Sequence, residues 1–299
     1  MSEFPLISIV TINYNQEKVT CELLESLKKI NYKNIEIIVV DNASRINPAS
    51  LISQSFPEVK VIVSPVNLGF AGGNNLGIKQ AQGKYVLFLN NDTEVDPDFL
   101  DPLVSLMEKK SFIGMASPKI VYYNTSIIQY AGSKAINPYT GRGRKIGHKE
   151  IDTGQYNETR ETDLAHGAAL LVSMDMIKKV GLMPEVFFLY YEEHDWCESV
   201  KRAGYKIYYV ADSTVYHKES LSVGKNNPLK TYYLNRNRLL YMRRNVGGIK
   251  LIFGIVFFIF ISIPKNTVKF LIKREMKHLK AFYKGIYWNI SNISLKTNN

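Results

Sequence analysis

The clearest pattern in the chain is a series of short apolar segments separated by stretches with helical spacing. Alternation and β-branching predict a first strand over residues 6–13, and two more strands are expected over residues 35–40 and 59–63. Residues 85–89 are continuously apolar or aromatic and too few for a typical helix, so they predict a buried fourth strand. The alternation of strands and helices predicts right-handed crossovers in a largely parallel α/β sheet.

Polar side chains end three of these strands. They are Thr11 and Asn13, Asp41 and Asn42, and Asn90, Asn91 and Asp92. Because ligands bind beyond the carboxyl ends of parallel strands, we expect these side chains to converge on one edge. An aspartate there can hold a divalent cation and, through it, a phosphate, and Asp41 could hydrogen-bond a ribose or a base edge. The alternative is a set of surface turns, since Asn and Asp are common turn formers.

A glycine-rich segment, residues 67–77, lies between the third and fourth strands. It matches neither the Walker loop nor the dinucleotide fingerprint. We expect a helical run to follow it as far as Gln82. Glycines at a helix start let backbone N–H groups approach a phosphate, but they also allow tight helix–sheet packing, and both interpretations stay open.

The second half of the chain is less regular. Residues 97–110 predict a helix that opens at Pro97, whereas residues 111–165 show no clear period. An aromatic segment, residues 187–191, then runs into Glu192, Glu193, His194 and Asp195. Carboxylates beside aromatic side chains are favoured as general bases, although acids also suit a helix N-terminus. Later strands are expected over residues 168–173, 206–210 and 215–217.

The net charge of +11 is concentrated at the C-terminus. Residues 225–299 hold 15 Lys and Arg against one acid, which gives +14 and leaves −3 for the rest. Such asymmetry indicates an anionic partner for the tail. The apolar run at residues 251–263 is shorter than the ~20 residues that span a bilayer. The apolar and lysine stripes beyond it are typical of an in-plane membrane helix; a helix packed on the body is the alternative.

The cysteines, the N-terminus and the motifs near the tail indicate the compartment and the partners. Cys21 and Cys197 are far apart in sequence and indicate a reducing compartment. No secretory signal is visible at the N-terminus. No nucleic-acid motif accompanies the basic tail, so we expect no nucleic-acid partner. The expected location is therefore the cytoplasm, with peripheral attachment of the tail to the anionic inner face of the cell membrane.

Taken together, these motifs resemble the family 2 glycosyltransferases with the GT-A fold over roughly residues 6–245. The matching segments, in chain order, are residues 9–15, 39–44, 67–77, 89–93, 166–169, 191–197 and 215–217. The glycine-rich segment is similar to a branch often assigned as rhamnosyltransferases of surface polysaccharide assembly. The resemblance implies a Rossmann-like mixed sheet flanked by helices. It implies a catalytic domain over residues 1–245, followed by a membrane-associating basic amphipathic helical tail over residues 246–299.

The resemblance also implies roles for residues on the donor side. These are Thr11, Asn13 and Asp41 at the nucleoside, Gly69, Asn74 and Asn75 near the ribose and diphosphate, and Asn90 as a further sugar-nucleotide contact. Asp92 would bind Mg²⁺ or Mn²⁺ at the position of the family's Asp-x-Asp motif, with His217 as a second metal or phosphate contact. Asn90 departs from the family pattern, which has an aspartate there, so fewer protein charges face the metal. A lone histidine such as His217 is otherwise more often structural.

On the acceptor side, the resemblance places the general base at Glu193, where the family usually has an aspartate. Asp195 remains a rival for this role, and Tyr191 and Trp196 could stack on sugar rings of the acceptor. The implied reaction is inverting transfer of a hexosyl or rhamnosyl group from a UDP- or dTDP-type donor to a hydroxyl of a glycan, expected to be lipid-linked. Two alternatives stay open: a nucleotidyltransferase, or a non-catalytic sugar-nucleotide or glycan-binding protein in which Asn90 and Glu193 mark decay.

Overall fold

The computed structural model describes residues 4–218 and 226–294. The chain divides into two compact units. The first, called here the sheet unit, comprises Met1–Lys134, Lys145–Phe188 and Glu192–Ser222. The second, the helical unit, comprises Ala135–Arg144, Leu189–Tyr191 and Val223–Asn299. The proposed boundary near residue 245 remains a prediction.

The strands occur throughout the first three quarters of the chain. They are β1 Ile7–Asn13, β2 Ile35–Asn42, β3 Lys60–Ser64, β4 Tyr85–Leu89, β5 Thr93–Val95, β6 Ile113–Tyr122, β7 Ile128–Tyr130, β8 Ser133–Asn137, β9 Arg142–Lys145, β10 Arg160–Glu161, β11 Ala169–Ser173 and β12 Lys206–His217. The helices that accompany the sheet are α1 Glu17–Leu27, α2 Ala49–Ser55, α3 Gly69–Ile78, α4 Leu100–Lys109, α5 Met174–Val180 and α6 Glu192–Arg202, with a 3₁₀ turn at Glu185–Phe187. The helical unit contains α7 Pro228–Asn245, α8 Gly248–Phe257, a π-helical segment Phe258–Ser262, α9 Ile263–Ile272 and α10 Met276–Ser291.

Ten of the described strands form one mixed sheet in the order β10-β12-β6-β11-β4-β1-β2-β3, with β5 paired to β12 and β7 to β6. Strands β1, β2, β3 and β4 are mutually parallel where they pair, as the crossovers predicted. Strand β11 runs antiparallel to both β4 and β6. The predicted α/β class with a mixed sheet flanked by helices is confirmed.

The core explains why the first four strands were readable from the sequence. All five residues of β4 are buried, and α1 buries Leu23, Leu24 and Leu27 on the face that packs against the sheet. Burying one leucine side chain contributes roughly 1.5–3 kcal/mol. The continuous apolar run of β4 therefore reflects burial of both faces of the strand. The apolar stripe of α1 reflects burial of one face of the helix.

Several expectations for the sheet unit are corrected. The loosely patterned residues 111–165 contain β6, which is ten residues long and buried over nearly its whole length. The two short strands expected over residues 206–210 and 215–217 form one strand, β12. It pairs with β6 and has a register shift between Val210 and Thr214. Helix α4 begins at Leu100 rather than at Pro97. Helix α3 lies within the glycine-rich segment itself and ends at Ile78.

The helical unit contains a longer apolar helix than the thirteen-residue run indicated. Helix α8, the π-helical segment and α9 are continuous over Gly248–Ile272, which is 25 residues and mostly exposed. In the described part of the chain this is the one helix long and apolar enough to cross a membrane. By length and composition, the expectation that the apolar run is too short to span a bilayer is thus corrected.

The predicted single in-plane helix beyond residue 263 is also corrected, because α9 and α10 are separate. Arg274 adopts a positive φ of 55° in the turn between them. Helix α10 packs on α7 and α9, and Phe258, Phe270 and Phe282 form a small buried cluster inside the helical unit. Part of the apolar stripe therefore serves packing within this unit, while Met276, Tyr283 and Ile290 remain exposed.

Candidate active site

A hydrogen-bonded network joins the polar ends of β1, β2 and β4. Asn13 pairs in register with Asp41, and its amide donates to the Asp41 carboxylate at 2.8 Å. Thr20 of α1 donates to Asn13 Oδ1 at 2.9 Å and accepts from the Asn91 amide at 3.1 Å. These side chains are buried. The predicted convergence of the three strand ends on one edge is confirmed.

Thr20 is a site residue that the sequence pattern did not reveal. It lies on the buried face of α1, one turn before Leu23 and Leu24. A threonine at an apolar-stripe position is the only local signal, and its partners come from residues 7 and 71 positions away. Its hydroxyl acts as donor and acceptor at once, so it fixes Asn13 and Asn91 relative to each other.

The predicted nucleoside contacts have different hydrogen-bonding states. The Asp41 carboxylate accepts from Asn13 and from the Ser44 hydroxyl at 2.6 Å. By contrast, Thr11 Oγ1 and Asn74 Nδ2 are buried and have no hydrogen-bond partner among the residues that the structure describes. Buried polar atoms without partners are rare and costly, so both atoms are suited to receive a polar ligand.

Asn75 is bound within the protein. Its amide donates to the Met183 carbonyl at 2.9 Å and to Glu185 at 2.8 Å, and its Oδ1 accepts from the Met183 N–H at 3.0 Å. These bonds attach α3 to Met183 and to Glu185, the first residue of the 3₁₀ turn. A contact between Asn75 and the ribose or diphosphate stays a prediction. In this structure the Asn75 amide already donates to two partners within the protein.

The glycines of α3 serve close packing. Gly69 has a φ of +70°, and a Cβ there would lie 2.1 Å from the Phe188 carbonyl oxygen. That same oxygen accepts from the Phe70 N–H at 2.6 Å. A Cβ at Gly77 would lie 2.3 Å from Val10 of β1. The packing interpretation is thus what the structure displays, and a ligand contact by Gly69 stays a prediction.

Asp92 and His217 face each other at the end of β4. Strand β5 pairs with β12 so that Thr93 lies opposite His217. This register brings His217 Nε2 within 3.1 Å of Asp92 Oδ1, and the Asn90 amide nitrogen lies 3.5 Å from the same ring nitrogen. Both Asp92 and His217 are buried. Strand pairing between distant segments therefore assembles the pair that the motif predicted.

Gln129 of β7 orients this histidine, and no sequence pattern predicted this role. Its Oε1 lies 2.7 Å from His217 Nδ1, and because a carbonyl oxygen only accepts, Nδ1 carries the proton. A neutral imidazole then presents its Nε2 lone pair to the Asp92 carboxylate, which also only accepts. Two acceptors at this distance need a shared cation, which can be a proton or a metal ion.

The geometry fits a divalent cation. Adjacent ligands of an octahedral ion with bonds of about 2.1 Å lie about 3 Å apart, which matches the Asp92–His217 separation. Among the described residues, no group of three or more His, Cys, Asp or Glu side chains is arranged to hold a metal. A cation held by Asp92 and His217 needs further ligands, which Mg²⁺ commonly takes from substrate phosphates and water.

The segment from His166 to Ala168 links this pair to α6. The His166 ring lies 6.4 Å from the His217 ring, and the Ala168 carbonyl accepts from the Asn90 N–H at 2.9 Å. Desolvation and the neighbouring Lys145 lower the pKa of His166 well below 6.5, so it is neutral at pH 7. A Cβ at Gly167 would lie 3.7 Å from the Glu193 carboxyl, which places Glu193 along the same edge.

Glu193 is the better placed of the two candidate bases. Its side chain is 17% exposed, and its Oε2 is buried with no hydrogen-bond partner in the described part of the chain. Its Oε1 lies 3.8 Å from His194 Nδ1. Asp195, in contrast, is 1% exposed on the packing face of α6. The base assignment itself stays a prediction, and this arrangement favours Glu193.

The acceptor-stacking roles of two aromatic residues stay predictions, and the burial of both side chains argues against them. Trp196 is 1% exposed, its indole N–H donates to the Gly181 carbonyl at 3.0 Å, and its ring packs edge-on to Phe88. Tyr191, within the helical unit, is 9% exposed and donates its hydroxyl to the Gly141 carbonyl at 2.8 Å. Neither ring offers a free face for stacking in this structure.

The mixed sheet flanked by helices is a GT-A type fold, and comparison with known proteins gives the family. The profile described as Glycosyl transferase family 2 matches residues 8–180. The chain belongs to this family, whose members take their sugar from a nucleotide donor. Family membership sets aside the nucleotidyltransferase alternative.

Two curated relatives and one solved structure illustrate the similarity. The chain is 27% identical over 241 residues to the low-salt glycan biosynthesis hexosyltransferase Agl10 of Haloferax volcanii, covering 78% of this chain and 74% of the relative. It is 22% identical over 303 residues to the dTDP-rhamnosyl transferase RfbF of Shigella flexneri, covering 94% and 95%. GalNAc-T7 with UDP, GalNAc and Mn²⁺ shares the fold with a TM-score of 0.62 and 17% identity. That match covers 75% of this chain and 45% of the GalNAc-T7 chain.

Proposed function

We propose that the chain transfers a hexosyl or rhamnosyl group, with inversion, from a UDP- or dTDP-type sugar to a hydroxyl of a lipid-linked glycan. The observation that carries this proposal is the single sheet edge of the sheet unit. It presents the Asp92–His217 pair, and Glu193 with an unpartnered carboxylate oxygen lies along it. Such a transfer needs a site for the nucleotide, a site for the cation and a general base.

On the donor side, Thr11, Asn13, Asp41 and Asn74 would bind the nucleoside and ribose. The unpartnered Thr11 hydroxyl and Asn74 amide support this assignment, because a ligand would satisfy them. The relative RfbF is described as a dTDP-rhamnosyl transferase, and GalNAc-T7 was solved with UDP. Both favour a uridine or thymidine diphosphate donor for this chain.

Asp92 and His217 would hold Mg²⁺ or Mn²⁺ against the donor, and Asn90 would be a further contact to the sugar nucleotide. The presence of Mn²⁺ in the GalNAc-T7 structure supports this choice. When bound, the cation supplies positive charge that neutralises the departing nucleoside diphosphate. The chain's own contribution is to fix the Asp92–His217 pair through Gln129 and to bury it away from bulk water.

Glu193 would act on the acceptor. Its carboxylate accepts the proton of the acceptor hydroxyl as the new bond forms between that oxygen and the anomeric carbon. The bond from the anomeric carbon to the diphosphate oxygen breaks on the opposite face, and the electron pair leaves with the nucleoside diphosphate. One displacement of this kind inverts the anomeric centre.

The lipid-linked acceptor and the membrane location rest on the helical unit. Helix Gly248–Ile272 exposes large apolar side chains, among them Ile252, Phe253, Ile259 and Phe260. An exposed apolar surface of this kind marks a membrane or protein contact, and the +14 charge of the tail favours an anionic membrane. We place the enzyme at the inner face of the cell membrane, in cell-surface polysaccharide synthesis.

A donor panel tests the proposal. The full chain is incubated with UDP-, dTDP- and GDP-sugars in the presence of Mn²⁺, and release of the nucleoside diphosphate is measured with water as acceptor. We expect slow cleavage of at least one UDP- or dTDP-sugar, and its loss on adding EDTA. Cleavage confined to GDP-sugars would overturn the donor class, and binding without any cleavage would indicate a non-catalytic sugar-nucleotide protein.

Replacing Gln129 tests the orientation of His217. Gln129→Met keeps the side-chain volume but removes the acceptor at His217 Nδ1. We expect the Mn²⁺ concentration for half-maximal activity to rise about 10- to 100-fold, the usual cost of losing such a partner. Gln129→Glu restores an acceptor and should recover most of the Mn²⁺ affinity. An unchanged Mn²⁺ dependence in Gln129→Met, with an unchanged melting temperature, would contradict the orienting role.

A further inference from the structure

A lysine-lined cavity of about 300 Å³ opens on the surface of the helical unit, where Lys269 and Lys273 are exposed. It is bordered by the start of α7, the end of α9 and the start of α10. Lys230, Lys269 and Lys273 line it, together with Thr231, His278 and the acid Glu275. The lining therefore has three positive charges and one negative charge, which gives a net charge of +2.

Helix geometry brings these lysines together. Lys269 and Lys273 are four residues apart at the end of α9, and the Lys273 N–H donates to the Lys269 carbonyl at 3.1 Å, so both side chains share one face. Lys230 lies in the first turn of α7, which begins at Pro228. Thr231 and His278 bond each other at 2.7 Å across the cavity wall, which holds α7 and α10 at this end.

The three lysines of the cavity make no ion pair with Glu275 or with any other acid that the structure describes. Lys269 lies over the Phe270 ring at 5.3 Å and Lys230 over the Tyr190 ring at 5.9 Å. Like charges around one small space repel each other, and an anion with several acceptor oxygens would relieve that repulsion.

The surroundings indicate where such an anion comes from. The cavity lies at the end of the apolar helix Gly248–Ile272, and Val268, Leu271 and Ile272 are exposed beside its lysines. Lysines next to an apolar membrane-facing surface lie at the level of the lipid headgroups. We propose that this cavity binds the phosphate group of a membrane phospholipid headgroup, one lipid per chain. The site goes beyond sugar transfer and does not depend on it.

Native mass spectrometry of the full chain tests the site. The protein in micelles of an uncharged detergent is titrated with phosphatidylglycerol, and the fraction of chains that retain a lipid is measured. We expect one phosphatidylglycerol to be retained with saturation, and diacylglycerol, which has no phosphate, not to be retained. Lys269→Gln/Lys273→Gln should weaken retention about tenfold or more, since it removes hydrogen bonds to a charged group.

The matched control is Lys265→Gln/Lys277→Gln. It removes the same charge from α9 and α10 at exposed positions that do not line the cavity, and it should retain the lipid like the unaltered chain. Equal weakening in both double variants, or retention of several lipids without saturation, would overturn the site in favour of diffuse attraction. Inorganic phosphate should not raise the melting temperature in the same micelles. If it did so in the unaltered chain but not in the cavity variant, a soluble phosphate would replace the lipid as the ligand.

Discussion

Asp92→Asn is expected to lower kcat/KM for sugar-nucleotide cleavage by about a thousandfold, because a cation at the diphosphate contributes several kcal/mol to the transition state. Asparagine has nearly the same volume and can still contact His217, so the fold should be retained. The change removes the only charge in the Asn90-Asn91-Asp92 motif. We expect the binding of Mn²⁺ measured by calorimetry in the presence of the nucleoside diphosphate to be lost together with activity.

Asp212→Asn is the matched control for this variant. Asp212 lies on β12, the strand that carries His217, but it is exposed. The same chemical change there should leave both Mn²⁺ binding and the rate unaltered. If Asp92→Asn kept more than about a tenth of the activity, or if its loss of activity followed a fall in melting temperature, Asp92 would not be the cation ligand proposed here.

Local patterns were sufficient for the donor half of the sheet. Strands β1, β2 and β4 are either alternating or wholly apolar, and each ends abruptly in small polar residues. Because parallel strands end on one edge, the meeting of Asn13 and Asp41 was deducible without knowing any contact. That reasoning needs only the period of the pattern and the handedness of crossovers.

Strand β6 could not be found in this way. It contains Pro118 and Lys119 within an otherwise apolar sequence, and both residues argue against a central strand. Lys119 is nevertheless buried, because its ammonium is paired with Asp152 at 2.9 Å and bonded to Asn157 at 2.7 Å. Local propensity argues against a lysine in a central strand. Lys119 is tolerated there because partners more than thirty residues away satisfy its ammonium group.

Local sequence patterns also could not identify the residues that orient the predicted site residues. Gln129 and Thr20 act through partners distant in sequence, so no spacing rule identifies them. Trp196 is different, since Trp196 and Val200 are four residues apart on the buried face of α6. That helical spacing was a local signal for packing rather than for acceptor stacking.

The apolar helix of the helical unit continues through Pro264 for a structural reason. Proline lacks an N–H and normally breaks the i to i−4 pattern. Here Pro264 is in the first turn of α9, directly after the π-helical segment Phe258–Ser262. A π-helical turn shifts the hydrogen-bond pattern locally, so the chain remains helical where the sequence indicated a stop.

Glu193→Gln is expected to lower kcat by 10²- to 10⁴-fold, the usual contribution of a general base. The KM for the donor should change little, since the residues proposed to bind the nucleoside lie on β1, β2 and α3. Water used as the acceptor must also lose a proton, so donor cleavage reports the base even without the natural acceptor. Because Glu193 Oε2 has no hydrogen-bond partner within residues 4–218 and 226–294, removing the charge should not lower the melting temperature.

Two companion variants separate the base from its neighbours on α6. Glu198→Gln makes the same change five residues on, where the carboxylate pairs with Lys201 at 2.9 Å, and should leave kcat nearly unaltered. Asp195→Asn alters a carboxylate that is 1% exposed, so we expect a lower melting temperature, with any loss of rate following the loss of folded protein. The opposite result, unaltered kcat in Glu193→Gln and a large loss in a fully folded Asp195→Asn, would transfer the base to Asp195. Glu193→Asp should keep part of the activity, because the family usually has the shorter acid at this position and only the reach of the carboxylate changes.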